Sequence, residues 1–163
     1  MAGSLRTGIW RIGKIEAPLP EYMTSGAAGV DLCAAIAQPL EISPRERVLV
    51  STGLGVAVPP GFEGQVRPRS GLAVRSGITV LNSPGTIDSD YRGELRVALI
   101  NLGGESVMIE PLERIAQLVV TPVVQVVWDL LRTGADDLPI GETTERGAGG
   151  FGHTGRKTDR IPD

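Results

Sequence analysis

Glycine and proline break this chain into short apolar segments, and that punctuation limits what it can fold into. Pro ends a helix interior and Gly weakens one, so closely spaced Gly and Pro favour strands and turns over helices. The stretch "RVLVSTGLGVAVPPGFEGQVRPRSG" predicts strands at Arg47–Val50, Leu54–Val58 and Phe62–Arg67, separated by Gly53 and by Pro59-Pro60-Gly61. "ITVLN" (78–82) follows, then "GELRVALINLG" (93–103), where Leu95, Val97 and Leu99 alternate with other residues as on a half-buried strand. "VMIEPLERIAQLVVTPVVQVVWDLL" supplies two or three more strands, broken at Pro111 and Pro122. Only "SGLAVRSG" (70–77) predicts a helix, and a short one.

Many short strands at close spacing predict an all-β chain, an antiparallel sandwich or jelly roll. Hydrophobic residues make up 41% of the sequence and aromatics 4%, so the core must be aliphatic. With 163 residues the chain fits one domain. Beyond Leu131 it turns polar and Gly-rich, so the expected domain is 1–131, with 132–163 as a C-terminal arm. The run "VVTPVVQVVW" (119–128) is apolar enough to predict burial between subunits.

Charge and cysteine count narrow the function. A net charge of −3 provides no global field for a nucleic acid polymer, so any phosphate must be held by local groups. One Cys and one His exclude an internal disulfide and leave no conventional zinc set. The N-terminus shows no signal peptide, and no apolar run approaches bilayer length; a soluble, cytoplasmic protein is expected.

The C-terminal "ERGAGGFGHTGR" (145–156) places five glycines between Gly147 and Gly155, around one of two Phe and the only His. Gly147 to Gly152 spells G-x-G-x-x-G. That pattern binds dinucleotides only between a strand and a helix, and eleven residues after Gly152 are too few for the remainder of such a unit. Arg156 stands where a Walker motif needs Lys. Glycine content alone predicts a tail without fixed structure.

Three other segments carry chemistry. In "NSPGTIDSDYRGEL" (82–95), Pro84-Gly85 predicts a hairpin turn, and Asp88 and Asp90 would share one side of an extended chain. A calcium loop is excluded, because Arg92 and Leu99 occupy ligand positions. What remains open is a solvated polar turn or a carboxylate beside a backbone that reads a flat ligand. "RPRSGLA" (67–73) offers Arg67, Arg69, Ser70 and the Ser70 and Gly71 amides, the parts of an anion site. In "ERIAQLVV" (113–120), Arg114 and Gln117 face opposite sides of a strand unless a bulge intervenes. In "GVDLCA" (29–34), Asp31 could simply cap a turn.

Taken in order, "AAGVDLCA", "RPRSGLA", "NSPGTIDSDYRGEL", "ERIAQLVV" and "RGAGGFGHTG" resemble the five motifs of the trimeric deoxyuridine triphosphatase (dUTPase) family, over residues 10 to 156. Two positions depart from the pattern: Val30 where many relatives carry an aromatic, and His153 where many carry Ser.

The resemblance implies a distorted jelly-roll barrel, a homotrimer with shared active sites, and Mg2+-dependent hydrolysis of dUTP to dUMP and pyrophosphate. By the same resemblance Asp88 orients and deprotonates the attacking water. Tyr91 lies under the deoxyribose, and Asn82 with the nearby backbone around Ile87 binds uracil. Arg69, Ser70, Gly71 and Gln117 hold phosphates, and Asp31 supports the metal through water. The arm closes over the nucleotide: Phe151 stacks on the base, Gly152 allows close approach, and Arg146, His153 and Thr154 meet the terminal phosphates. Two alternatives stand beside this one. A dCTP deaminase shares the fold but lacks the D-S-D-Y run and the Phe-bearing arm. A catalytically idle nucleotide-binding jelly roll is not favoured, because every expected catalytic residue is present.

Overall fold

The computed structural model describes residues 5–128 and Leu130. Among them eleven strands and one short helix follow in order: β1 (Gly8–Arg11), β2 (Val30–Cys33), β3 (Leu40–Ile42), β4 (Arg47–Ser51), β5 (Leu54–Ala57), β6 (Phe62–Pro68), α1 (Ser70–Ser76), β7 (Ile78–Val80), β8 (Gly85–Ile87), β9 (Arg96–Asn101), β10 (Val107–Ile109) and β11 (Arg114–Pro122). The strands lie in one compact unit that ends at Gln125. The expected boundary at 131 and the segment 132–163 fall outside the described residues.

All strand pairs among the described residues are antiparallel. Two sheets dominate, one of order β2-β11-β6-β8 and one of order β4-β9-β7; β1-β5 and β10-β3 form two-stranded ribbons. Period-2 alternation explains the layering. On β9 the residues Val97, Leu99 and Asn101 are buried while their neighbours are not. They meet Val50 of β4 and Ile78 and Val80 of β7, and the same core takes in Leu32, Val66, Ile115 and Leu118 from the four-stranded sheet. The core is aliphatic, as the composition requires.

The expected strands from residue 47 onward are present, as is the helix, which stops where Gly77 adopts φ 70°. A side chain there would overlap the backbone of Gly103, so Gly77 is required on both counts. The expected hairpin is absent. β7 and β8 do not pair around Pro84-Gly85: β7 pairs with β9 and β8 pairs with β6, in different sheets. The turn residues only redirect the chain, and Leu81–Pro84, with a cis Ser83-Pro84 bond, carries it from one sheet to the other. Nor does a strand continue far beyond Pro122. The Val123 N–H still donates to Gly61 O (3.0 Å), but 124–128 forms no strand among the described residues.

Asn101 is the buried polar residue at the end of β9. Its Nδ2 donates to Ile42 O (2.9 Å) and Glu105 O (2.8 Å), and its Oδ1 accepts from Gly103 N–H (2.8 Å). It therefore fastens the β9–β10 turn to β3. Removing it leaves buried partners without hydrogen bonds, so Asn101→Ala should lower unfolding free energy by at least about 2 kcal/mol, measured by urea denaturation.

Candidate active site

The segment Asp88–Leu95 joins β8 to β9 and so crosses back from the four-stranded to the three-stranded sheet. Its far end is fixed first. Leu95 is fully buried; its N–H donates to Leu54 O (2.8 Å), and its O accepts from the Thr52 N–H (3.2 Å) and hydroxyl (2.6 Å). One residue earlier, Glu94 Oε1 accepts the Gly53 N–H at 2.9 Å. At the near end, Tyr91 N–H donates to Asp88 O (3.2 Å) and closes a turn. The chain is therefore not extended across Asp88–Asp90, and strand alternation does not put the two carboxylates on one side. Arg92 Nη1 donates to Ser89 O and Tyr91 O (both 2.8 Å), tying the turn to itself.

Tyr91 folds back over the chain. Its hydroxyl donates to Glu94 O at 2.9 Å, and a Cβ on Gly93 would overlap that hydroxyl. Glycine at 93 is thus required by the ring above it.

Between the two sheet crossings lies a pocket of about 270 Å³. It brings together the sequence-predicted Asn82, Ile87, Asp88 and Tyr91. β8 forms the edge of its sheet, so one side of the Gly85–Ile87 backbone has no strand partner among the described residues and offers main-chain donors and acceptors. Gly85 also lets the Asn82 amide lie 3.1 Å from where a Cβ would stand. Asp88 is exposed and 38% of Tyr91 remains accessible, so both reach solvent that a ligand would displace. The lining also includes Leu49, Glu94 and Arg96, which the sequence reading missed. Leu49 and Arg96 come from β4 and β9, and only tertiary pairing brings them to the pocket; Glu94 lies within the 82–95 segment, where nothing local marks it as part of a site.

A second group forms around Asp31, which sits in mid-strand on β2 rather than at a turn. Arg69 Nε donates to Asp31 Oδ1 at 3.0 Å, and Arg114 Nε lies 3.6 Å from Oδ2. Arg69 also donates from Nη1 to Arg114 O at 3.1 Å. The conditional bulge is present: the β11–β2 register shifts between Arg114 and Ala116. Ile115 and Ala116 are consecutively buried, so Arg114 and Gln117 turn to the same outer side. Gln117 then stands between Asp31 on β2 and Arg67 on β6. Ser70 and Gly71 open α1, whose N-terminus has no side-chain cap.

Asp31 belongs to no cluster of three or more His, Cys, Asp or Glu among the described residues. Both its oxygens face arginines, so it is not suited to direct coordination, but one carboxylate beside two guanidinium groups fits a Mg2+ that keeps most of its waters. Burial pushes the neighbouring Cys33 thiol above its ordinary value, more than Arg114 draws it down, which favours the neutral thiol.

None of Asp31, Arg69, Ser70, Gly71 and Gln117 lines the Asp88 pocket, so one chain presents two separate groups. Arg146, Phe151, Gly152, His153 and Thr154 lie outside the described residues.

Known proteins resemble this chain closely. It is 56% identical over 137 residues to a deoxyuridine 5'-triphosphate nucleotidohydrolase of Chlamydia pneumoniae, covering 84% of this chain and 90% of that one. To the protein of the same name from Bdellovibrio bacteriovorus it is 49% identical over 152 residues, 93% and 97% of the two chains. The fold matches a Staphylococcus bacteriophage 80alpha dUTPase solved with dUPNHPP, with TM-score 0.75 and 24% identity over 93% of this chain and 99% of that one. A mutant dUTPase from phage phi11 of S. aureus, described with a structural Mg(II) ion, gives TM-score 0.70 at 21% identity over 79% and 98%. The dUTPase family model matches residues 15–155, and with these relatives it establishes that the chain belongs to the dUTPase family.

Proposed function

We infer that the protein hydrolyses dUTP to dUMP and pyrophosphate, removing a precursor of uracil in DNA and supplying dUMP for thymidylate synthesis. The observation that carries this reading is the convergence of Asn82, Asp88 and Tyr91 with β8, the edge strand of its sheet among the described residues, in one pocket. Uracil is flat and carries both donors and acceptors on one edge, which a strand edge can meet with main-chain groups. Asn82 and the backbone near Ile87 take that edge, and Tyr91 packs beneath the deoxyribose with no room for a 2′-hydroxyl.

Asp88 orients the attacking water and accepts its proton; an ordinary carboxylate is ionised at neutral pH and can do this as a general base. Arg69, the Ser70 and Gly71 amides and Gln117 hold phosphate oxygens, because phosphoryl transfer depends mostly on positioning and charge neutralisation. Asp31 would hold the water shell of a Mg2+ ion bound with the triphosphate, which would supply positive charge against the negative charge that develops there. In this reading Asp31 is kept in place by Arg69 and Arg114.

The separation of the Asp88 pocket from the Asp31–Arg69 group supports a homotrimeric jelly-roll barrel in which neighbouring copies complete each site. The exposure of Val124, Val127, Trp128 and Leu130, the last at 92%, supports their burial between copies. The arm, 132–163, is proposed to close over bound nucleotide through Arg146, Phe151, Gly152, His153 and Thr154, beyond a domain of 1–131. The proposed compartment is the cytoplasm, where a free thiol such as Cys33 stays reduced.

Pyrophosphate release measured with dUTP, dCTP, dTTP and UTP tests the reading. A site that hydrogen-bonds the uracil edge rejects cytosine by roughly 10⁴-fold, because buried polar groups would be left unpaired. Turnover of dCTP with ammonia release would overturn it. Asp88→Asn keeps the shape but cannot accept the proton, so kcat should fall by well over tenfold, with the Kd for a non-hydrolysable dUTP analogue nearly unchanged. Mixing Asp88→Asn with Arg69→Ala chains should restore part of the activity that neither has alone, read as turnover after the subunits exchange.

A further inference from the structure

We propose that Glu94 is a positioning residue that sets the preference for deoxyribose over ribose, through the hydroxyl of Tyr91. The inference rests on the reading of Tyr91 as the residue beneath the sugar and adds what holds that ring in place. Among the described residues the Tyr91 ring is held by the Gly93 main chain under it and by the hydrogen bond from its hydroxyl to Glu94 O, 2.9 Å. The direction of the Glu94 carbonyl is therefore part of the wall of the pocket.

That carbonyl is oriented from outside the loop. The Glu94 carboxylate accepts the N–H of Gly53, 41 residues away at the β4–β5 turn, at 2.9 Å. Gly53 is itself tied in: its φ of 67° suits glycine, its O accepts the Ile12 N–H at 2.8 Å, and an added Cβ would stand 3.1 Å from Ala35 Cβ. The restraint thus runs from Gly53 to the Glu94 carboxylate, through the Glu94 backbone to the Tyr91 hydroxyl, and so to the ring. Leu95 is anchored independently by Thr52 and Leu54, so loss of the carboxylate loosens residues 91–94 without releasing β9.

A loosened ring recedes from the space a 2′-hydroxyl would occupy. The cost therefore falls on discrimination, not on the chemistry at Asp88.

The test compares kcat and KM for dUTP and UTP in the wild type, Glu94→Ala, Glu94→Gln and Tyr91→Phe. Gln keeps an acceptor oxygen for Gly53, whereas Ala removes it. Glu94→Ala should narrow the dUTP-over-UTP ratio of kcat/KM by about fivefold or more, the scale of one hydrogen bond. The change should lie in KM for UTP, and Glu94→Gln should keep most of the wild-type ratio. An unchanged ratio in Glu94→Ala, an equal loss in Glu94→Gln, or a fall in kcat for both substrates alike overturns the proposal. If Glu94→Ala does not fold, Tyr91→Phe decides: it keeps the ring and removes only its tether, and an unchanged ratio there also overturns it. A wild-type enzyme that takes UTP as readily as dUTP overturns the reading of Tyr91 itself, and the inference with it.

Discussion

The hydrogen bonds from Thr52 to the Leu95 carbonyl hold the loop that walls the pocket to the core. Thr52 is fully buried, and both its amide and its hydroxyl are spent on that one oxygen. A buried hydroxyl without a partner would be costly, so the pairing is specific in both directions. It matters because the chain passes from the three-stranded sheet to the four-stranded sheet before β8 and returns after it. The pocket is the space between these two passages. Its outer wall is a short loop whose far end is made part of the hydrophobic core.

The same economy appears at Asp31. A carboxylate in mid-strand with only 12% of its side chain exposed needs compensating charge, which Arg69 supplies from the N-cap of α1 and Arg114 from the start of β11. Arg114 reaches it because the turn Glu110–Glu113 places the start of β11 beside the end of β2. There the Glu113 N–H donates to Glu110 O, the Leu112 N–H to Ala34 O, and the Ala34 N–H to Glu113 O. Leu112 adopts φ 62° in this turn, a position more often given to Gly or Asn.

Much of this was legible in the sequence where a segment's own pattern determined its state. The alternation of Leu95, Val97 and Leu99, and the Gly that ends the helix at 77, needed no knowledge of partners. What was hidden depended on distant residues. Pro84-Gly85 looks the same whether a chain doubles back on its own strand or leaves for another sheet, so the hairpin expectation failed. β2, β3 and β8 are three or four residues long, too short for periodicity to register. Asp88 stands out within its own segment as a carboxylate beside a turn, whereas Asn82 and Tyr91 take their roles only through the family resemblance. Leu49 and Arg96 belong to strands whose sequence speaks only of packing.

The single extra residue in β11 also protects the sheet from mispairing. Beyond it, Ala116 and Leu118 point inward. Were β11 to slide by one position and pair without interruption, that set would exchange faces, bringing Gln117 and Thr121 into the apolar layer and turning Leu118 out to water. The irregularity therefore acts as an index mark. Only the alignment that accommodates it satisfies both halves of the strand, and the alignment that brings Gln117 level with Asp31 is the same one that seals the core.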